Sequence, residues 1–192
     1  MAQSKPVPLG NVQIKTVEMH TAGEPLRVMV SGYPDLQGDT ILEKRHRQFV
    51  VREVDHHRKL LMWEPRGHHG MYGAILVKPG PSESQADLAV LFCHNEGLSP
   101  MCGHGTIALG RLAVDRGYVR PQAPETRVCL QCPCGPVTAF VEYDEERRQS
   151  GAVRFNSVPS FAFALGRPGL HFQNKPILNV YCLVITVSRN YN

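Results

Sequence analysis

The stretch Asn95-Glu96-Gly97-Leu98-Ser99-Pro100-Met101-Cys102-Gly103-His104-Gly105-Thr106 constrains the fold more than any other part of the chain. Its glycines and proline interrupt regular structure, so the chain must turn here. The run that follows, Thr106 to Arg116, places Ile107, Ala108, Leu112 and Ala113 on one side and meets Gly117 as a stop, which predicts a helix over 106–116. Cys102 is therefore held between a tight loop and a helix start. The unpaired N–H groups and positive dipole end of a helix start favour a thiolate, and are expected to lower the thiol pKa from ~8.5 toward neutrality. Gly103 and Gly105 have no side chains, so an anion can approach the backbone N–H groups of 103–106. His104 adds a titratable group beside the thiol. A carboxylate held next to a base suits removal of the proton alpha to that carboxylate. The competing reading takes Cys102 as a small buried hydrophobe and the glycines as turn formers.

The surrounding sequence predicts strands at 12–21 and 27–32 joined by the turn Ala22-Gly23-Glu24-Pro25. Thr40-Ile41-Leu42-Glu43 has the spacing of a capping box, ahead of a helix reaching about Leu60 that would lie on a sheet with its charged side outward. Short apolar runs at 73–77 and 87–93 suit buried strands. A hairpin is expected from 127–132 and 137–143 around Pro133-Cys134-Gly135-Pro136, with another strand at 152–158. Hairpins outnumber crossovers, so the fold class is α+β. From about Leu170 the chain changes character. One β-prone run, Leu178 to Val187, has no obvious partner and reads as an added edge strand or a poorly packed, poorly ordered tail.

Charge excludes a nucleic-acid footprint. The net +4 arises after Glu146, where six basic residues face no acid; residues 1–146 carry 15 Lys and Arg against 17 Asp and Glu. No apolar stretch approaches the ~20 residues of a membrane span, and the polar N-terminus has no signal-peptide core, so no membrane partner and a cytoplasmic location are expected. Six cysteines then read as reduced thiols. Cys129, Cys132 and Cys134 form C-x2-C-x-C without a second pair, so zinc is not expected, and His56-His57 and His68-His69 point apart from one another. Pairing of Cys102 with His94 is the hydrolase reading, but no further triad-like residues support it.

Met101-Cys102-Gly103-His104-Gly105-Thr106-Ile107-Ala108 resembles the first catalytic signature of the proline racemase family. His20-Thr21-Ala22-Gly23-Glu24-Pro25-Leu26-Arg27-Val28 resembles its N-terminal motif, and Glu64-Pro65-Arg66-Gly67-His68 with Met71-Tyr72-Gly73-Ala74 its third segment. Within the family the resemblance is nearest to the hydro-lyases that convert trans-3-hydroxy-L-proline to pyrroline-2-carboxylate; cofactor-independent proline racemases and hydroxyproline 2-epimerases are the alternative. The resemblance implies two pseudo-symmetric halves, each a diaminopimelate-epimerase-like curved sheet around a central helix, closing on a proline-like imino acid. It implies Cys102 as catalytic base, the backbone of Gly103 and His104 as carboxylate binders, helix 106–116 as the central helix with Gly110 letting the sheet approach, and no metal or organic cofactor.

The resemblance spans residues 10–168, read as the N-terminal half of such a fold, with 169–192 a tail outside the family. The Gly-rich signature that would carry the second catalytic residue has no counterpart in the sequence, so a truncated or alternatively spliced form, inactive alone, is expected. A half-fold exposing the face meant for its twin would also suit a homodimer, or a non-catalytic interaction protein.

Overall fold

The computed structural model describes residues 13–50, 52–83, 85–159, 171–172 and 175–176. The strands are β1 (Lys15–Thr21), β2 (Glu24–Ser31), β3 (Tyr72–Val77), β4 (Leu88–His94), β5 (Leu98–Ser99), β6 (Glu125–Cys132), β7 (Gly135–Asp144) and β8 (Gln149–Asn156). The helices are α1 (Ile41–Val50), α2 (Arg52–Met62) and α3 (Gly103–Asp115). One eight-stranded sheet runs in the order β1-β2-β3-β4-β6-β7-β8, with β5 beside β4. Four neighbouring pairs along this order are antiparallel: β1–β2, β3–β4, β6–β7 and β7–β8. The parallel pairs β2–β3 and β4–β6 are bridged by α1–α2 and by the segment containing α3, the longer connections that parallel strands require. A short antiparallel pair, β9 (His171–Phe172) with β10 (Lys175–Pro176), stands apart from the sheet. The expected strand at 178–187 lies outside the described residues.

Local chemistry explains the elements. In the first hairpin Thr21 pairs with Glu24, leaving Ala22-Gly23 as a two-residue loop with φ of 51° and 97°. Both values are positive, which is the turn whose twist matches its strands. At the start of α1 the Thr40 hydroxyl accepts from Glu43 N–H at 3.2 Å while the Glu43 carboxylate accepts from Thr40 N–H at 3.3 Å, a reciprocal capping box. The helix expected from 40 to about 60 is present as α1 and α2.

The sheet curls around α3. Leu26, Val28, Ala74, Val90, Phe92, Val128, Leu130, Val137, Ala139, Val141 and Val153 turn inward onto Ala108, Leu109, Leu112, Ala113 and Val114 of α3. Each Leu, Val or Phe among them, fully buried, contributes about 1.5–3 kcal/mol relative to exposure. A Cβ on Gly110 would sit 3.0 Å from the Ala139 Cβ and 3.3 Å from Val153 Cγ1, so the bare backbone there sets how close β7 and β8 come. Although β1 and β8 are opposite ends of the strand order, both reach α3. Thr21 Oγ1 donates to the His104 carbonyl at 2.9 Å, and Arg111 Nη1 to the Gly151 carbonyl at 3.3 Å. The two edges do not meet: a cleft of about 1230 Å³ separates them, with Ile107, Ala108 and Arg111 among its lining. On the other face a second core forms from Met29, Ile75, Leu91 and Cys93 against Ile41, Leu61 and Met62. Among the described residues, no helix is long and apolar enough to cross a membrane.

Candidate active site

The helix begins three residues earlier than the sequence predicts. α3 starts at Gly103, and Cys102 itself is the N-cap, in extended conformation with φ −143° and ψ 115°. Thr106 closes the first turn, its N–H donating to the Cys102 carbonyl at 2.9 Å and its hydroxyl to the same oxygen at 2.8 Å. Propensity argued for a later start, because Gly103 and Gly105 are poor helix residues; the two bonds from Thr106 and the packing of Gly105 override it. A Cβ on Gly105 would stand 2.6 Å from the Phe92 ring and 3.1 Å from Cys102 Sγ, so only glycine lets the turn close over β4.

In this frame Gly103, His104 and Gly105 occupy the first helical turn, where an N–H has no acceptor four residues back. The Gly105 N–H points to the Cys102 sulfur. His104 lies against the same sulfur, with Sγ 3.4 Å from Nδ1 and 3.7 Å from Nε2. The Cys102, Gly103 and His104 positions singled out in the sequence therefore converge on one point.

The expected acidic thiol is not what this environment produces. Burial pushes the Cys102 thiol up, to about 11; the Glu24 carboxylate adds to the rise, and the Gly105 N–H opposes it. Desolvation disfavours the anion more than one N–H compensates. The free protein thus holds Cys102 as a neutral thiol at pH 7.

Tyr72 completes the site, and the sequence assigned it no role. Tyr72 pairs in register with His94 across β3–β4. Its ring stands 5.1 Å from that of His104, edge-on, and 5.4 Å from that of His94. Burial raises the Tyr72 pKa, with the neighbouring Cys102 adding to it. Strand alternation from Gly73 could have placed Tyr72 on the Cys102 side, but not its distance from the helix start. His94 is not the imidazole at the sulfur: its Nδ1 accepts the Glu96 N–H at 3.2 Å. His20 accepts the Gly23 N–H at 3.4 Å, and Arg66 donates to the Leu60 carbonyl at 2.9 Å, so both shape their own loops. Arg27, ion-paired with Glu18 at 2.7 Å, also donates to the Leu61 and Arg66 carbonyls at 2.6 Å each, tying the N-terminal motif to the end of α2 and the loop of the third segment.

The C-x2-C-x-C cysteines are divided by the sheet. Cys132 faces α3, whereas Cys129, three residues before it, projects to the opposite face. Among the described residues, no group of three or more His, Cys, Asp or Glu side chains is placed to hold a metal ion.

Comparison with known proteins agrees with this architecture. The proline racemase family profile matches residues 16–168. The trans-L-3-hydroxyproline dehydratase of Saccoglossus kowalevskii is 58% identical over 146 residues, covering 76% of this chain and 43% of that protein. The 3-hydroxyproline 2-epimerase of Burkholderia multivorans is 49% identical over 148 residues, covering 77% and 42%. Among solved structures, a hydroxyproline epimerase from Agrobacterium vitis with bound trans-4-hydroxy-L-proline superposes with a TM-score of 0.74 at 25% identity, covering 81% of this chain and 44% of that one. The chain thus spans about 43% of the length of the curated relatives it matches, and its curved sheet around α3 corresponds to one half of the two-part fold. Matched over 153 contiguous residues, from 16 to 168, the chain belongs to the proline racemase family.

Proposed function

We propose that the start of α3 is a proton-abstraction site for a proline-like imino acid, and that its reaction is dehydration of trans-3-hydroxy-L-proline to pyrroline-2-carboxylate. One observation carries this reading: a thiol, an imidazole 3.4 Å from it and the unpaired N–H groups of a helix start share a single point. The Gly103 and His104 N–H groups would hold the substrate carboxylate, where the helix dipole also favours the anion. Cys102 would take the proton from Cα. Its thiol must first lose its own proton, and His104 is within reach to accept it. The positive ring nitrogen of the bound imino acid would favour the thiolate, offsetting burial. Once the Cα–H bond breaks, its electron pair forms the Cα–Cβ double bond. The 3-hydroxyl leaves and is released as water after taking up a proton. Residues 10–168 would form the unit that presents this wall of the site, without a cofactor. The free thiols Cys93, Cys102, Cys129, Cys132 and Cys134 support a reducing, cytoplasmic setting.

Inversion at Cα is the second reading, favoured by the similarity to the Burkholderia multivorans epimerase. Both readings share the first step, so the test begins there. Full turnover is not expected from this half alone, but in D2O the chain is expected to exchange the Cα proton of trans-3-hydroxy-L-proline slowly, and Cys102→Ser to abolish that exchange. Pyrroline-2-carboxylate as product supports dehydration; the C2-inverted imino acid supports epimerisation instead. Binding of pyrrole-2-carboxylate, whose planar ring carbon mimics the carbanion, is expected to shift amide resonances of 103–106. Exchange that survives in Cys102→Ser, or neither exchange nor those shifts in the unaltered chain, overturns the site.

A further inference from the structure

The hairpin tip between β6 and β7 carries chemistry that the proposed reaction does not use. Cys132 ends β6 and pairs with Gly135, so Pro133-Cys134 is a two-residue loop with a cysteine on either side of the proline. Cys132 is fully buried in the core around α3, and Cys134 is half-buried against the same core. The tip is fixed in place: the Cys134 N–H donates to the Pro100 carbonyl at 3.3 Å, two residues before Cys102, and its thiol approaches the Gly135 carbonyl at 3.9 Å. The two side chains pack beside one another on that core, close enough for each to perturb the ionisation of the other.

We propose that Cys132 and Cys134 form a dithiol that hydrogen peroxide oxidises to an intramolecular disulfide, with Cys134 reacting first. Two residues of chain span at most ~7 Å, and a tight turn shortens this into the ~4.4–6.8 Å range that a disulfide tolerates between Cα atoms. Cys134 is half-buried where Cys132 is fully buried, so a small oxidant reaches Cys134 first, and the neighbouring Cys132 thiol lowers the Cys134 pKa against the opposing effect of partial burial. Cys132 moves the opposite way, raised by the neighbouring Cys134 and by burial, and waits as the protonated partner. Burial also raises Cys93, Cys102 and Cys129, which leaves Cys134 as the acidic thiol among those described.

The chemistry balances in two steps. The Cys134 thiolate attacks one peroxide oxygen: an S–O bond forms, the O–O bond breaks and the departing hydroxide takes up a proton to leave as water. Cys134 is now a sulfenic acid, oxidised by two electrons as the peroxide is reduced. The Cys132 sulfur then attacks the Cys134 sulfur, forming S–S and breaking S–O; the released hydroxide takes the Cys132 proton and leaves as a second water.

The test treats the reduced full chain with limiting hydrogen peroxide, alkylates the remaining thiols and maps them by tandem mass spectrometry. Arg127 and Arg147 place Cys129, Cys132 and Cys134 in one tryptic peptide, so fragmentation must localise the change. The expected result is loss of two hydrogens between Cys132 and Cys134, reversed by dithiothreitol, before Cys93, Cys102 or Cys129 changes. In Cys132→Ser, dimedone should trap a sulfenic acid at Cys134. At pH 7 without peroxide, iodoacetamide should label Cys134 roughly tenfold faster than Cys129. First oxidation at Cys102 or Cys129, or conversion of Cys134 to sulfinic acid with Cys132 untouched, overturns the proposal. Both are read on the unaltered chain, whatever the folding of the variants.

Discussion

The two sides of the sheet solve the burial problem differently. Strands β2, β3 and β4 are covered twice. Val28, Ala74, Val90 and Phe92 turn to α3, while Met29, Ile75, Leu91 and Cys93 turn to the core lined by Ile41, Leu61 and Met62. Among the described residues, strands β6, β7 and β8 are covered once. Val128, Leu130, Val137, Ala139, Val141 and Val153 pack on α3, and on the other face Arg154 pairs with Glu125 at 2.7 Å and lies over the Phe140 ring at 4.1 Å. A polar group in the first region must find its partners within the protein. A polar group in the second can use water. Cys102 sits where the regions meet, at the mouth of the helix both enclose, and burial there raises its pKa.

The largest effect should come from Arg58, which is 3% exposed in the first region. Its guanidinium pairs with Asp55 at 2.6 Å and donates to the His94 and Asn95 carbonyls at 2.6 and 2.7 Å, docking α2 on the end of β4. Arg58→Met keeps the length of the side chain but strands those acceptors, and should lose about 3–5 kcal/mol in chemical denaturation. A loss below ~1 kcal/mol would mean that water reaches this end of the sheet and that the contrast between the regions is wrong. The pH dependence sharpens the same point. Burial raises Cys93 to about 12, from an ordinary thiol value of 9. A raised folded-state pKa stabilises below the unfolded value and is lost as pH climbs through the folded one, so the denaturation midpoint should fall between pH 9 and 12. Cys93→Ala should flatten that fall while leaving the neutral-pH fold intact by circular dichroism.

Arg58 and Cys102 mark the limit of what was legible in the sequence. The alternation along 127–132 and 137–143 and the Thr40/Glu43 capping box are local patterns, and the strands and helix they predict are present. The Cys102 loop was legible for a similar reason, since glycine, cysteine and histidine within four residues leave few geometries. Arg58 was not, because nothing in an amphipathic helix pattern separates a cation that folds back onto β4 from one in solvent. The Cys102 pKa was misjudged because the local effect of a helix start is visible in sequence while burial against distant strands is not. The early start of α3 depends likewise on β4, which leaves room only for Gly105.

A smaller effect tests whether the singly covered side is as tightly packed on its inner face. Gly110→Ala would bring a methyl within 3.0 Å of the Ala139 Cβ and 3.3 Å of Val153, where neither neighbour can swing away easily. An overpacking loss of about 1–3 kcal/mol is expected, although alanine is otherwise the better helix residue by about 1 kcal/mol. A stabilised variant would show that β7 and β8 yield, and that the curl around α3 is looser than its contacts suggest.

The smallest effect belongs to the outer face of the same strands. Arg154→Ala removes both the Glu125 ion pair and the Phe140 contact, but the Arg154 side chain is 49% exposed and water replaces what is lost. Exposed pairs of this kind contribute about 0–1 kcal/mol, and the exposed cation–π contact about 0.5–1. The loss should therefore stay near or below 1 kcal/mol and shrink further in 1 M salt, where the Debye length is only ~3 Å. Arg154 and Arg58 are both arginines paired with a carboxylate and touching the sheet, so the ratio of their two losses isolates burial from chemistry. If Arg154→Ala costs as much as Arg58→Met, something covers the outer face of β6–β8 in solution, and the sheet is buried on both sides along its whole width.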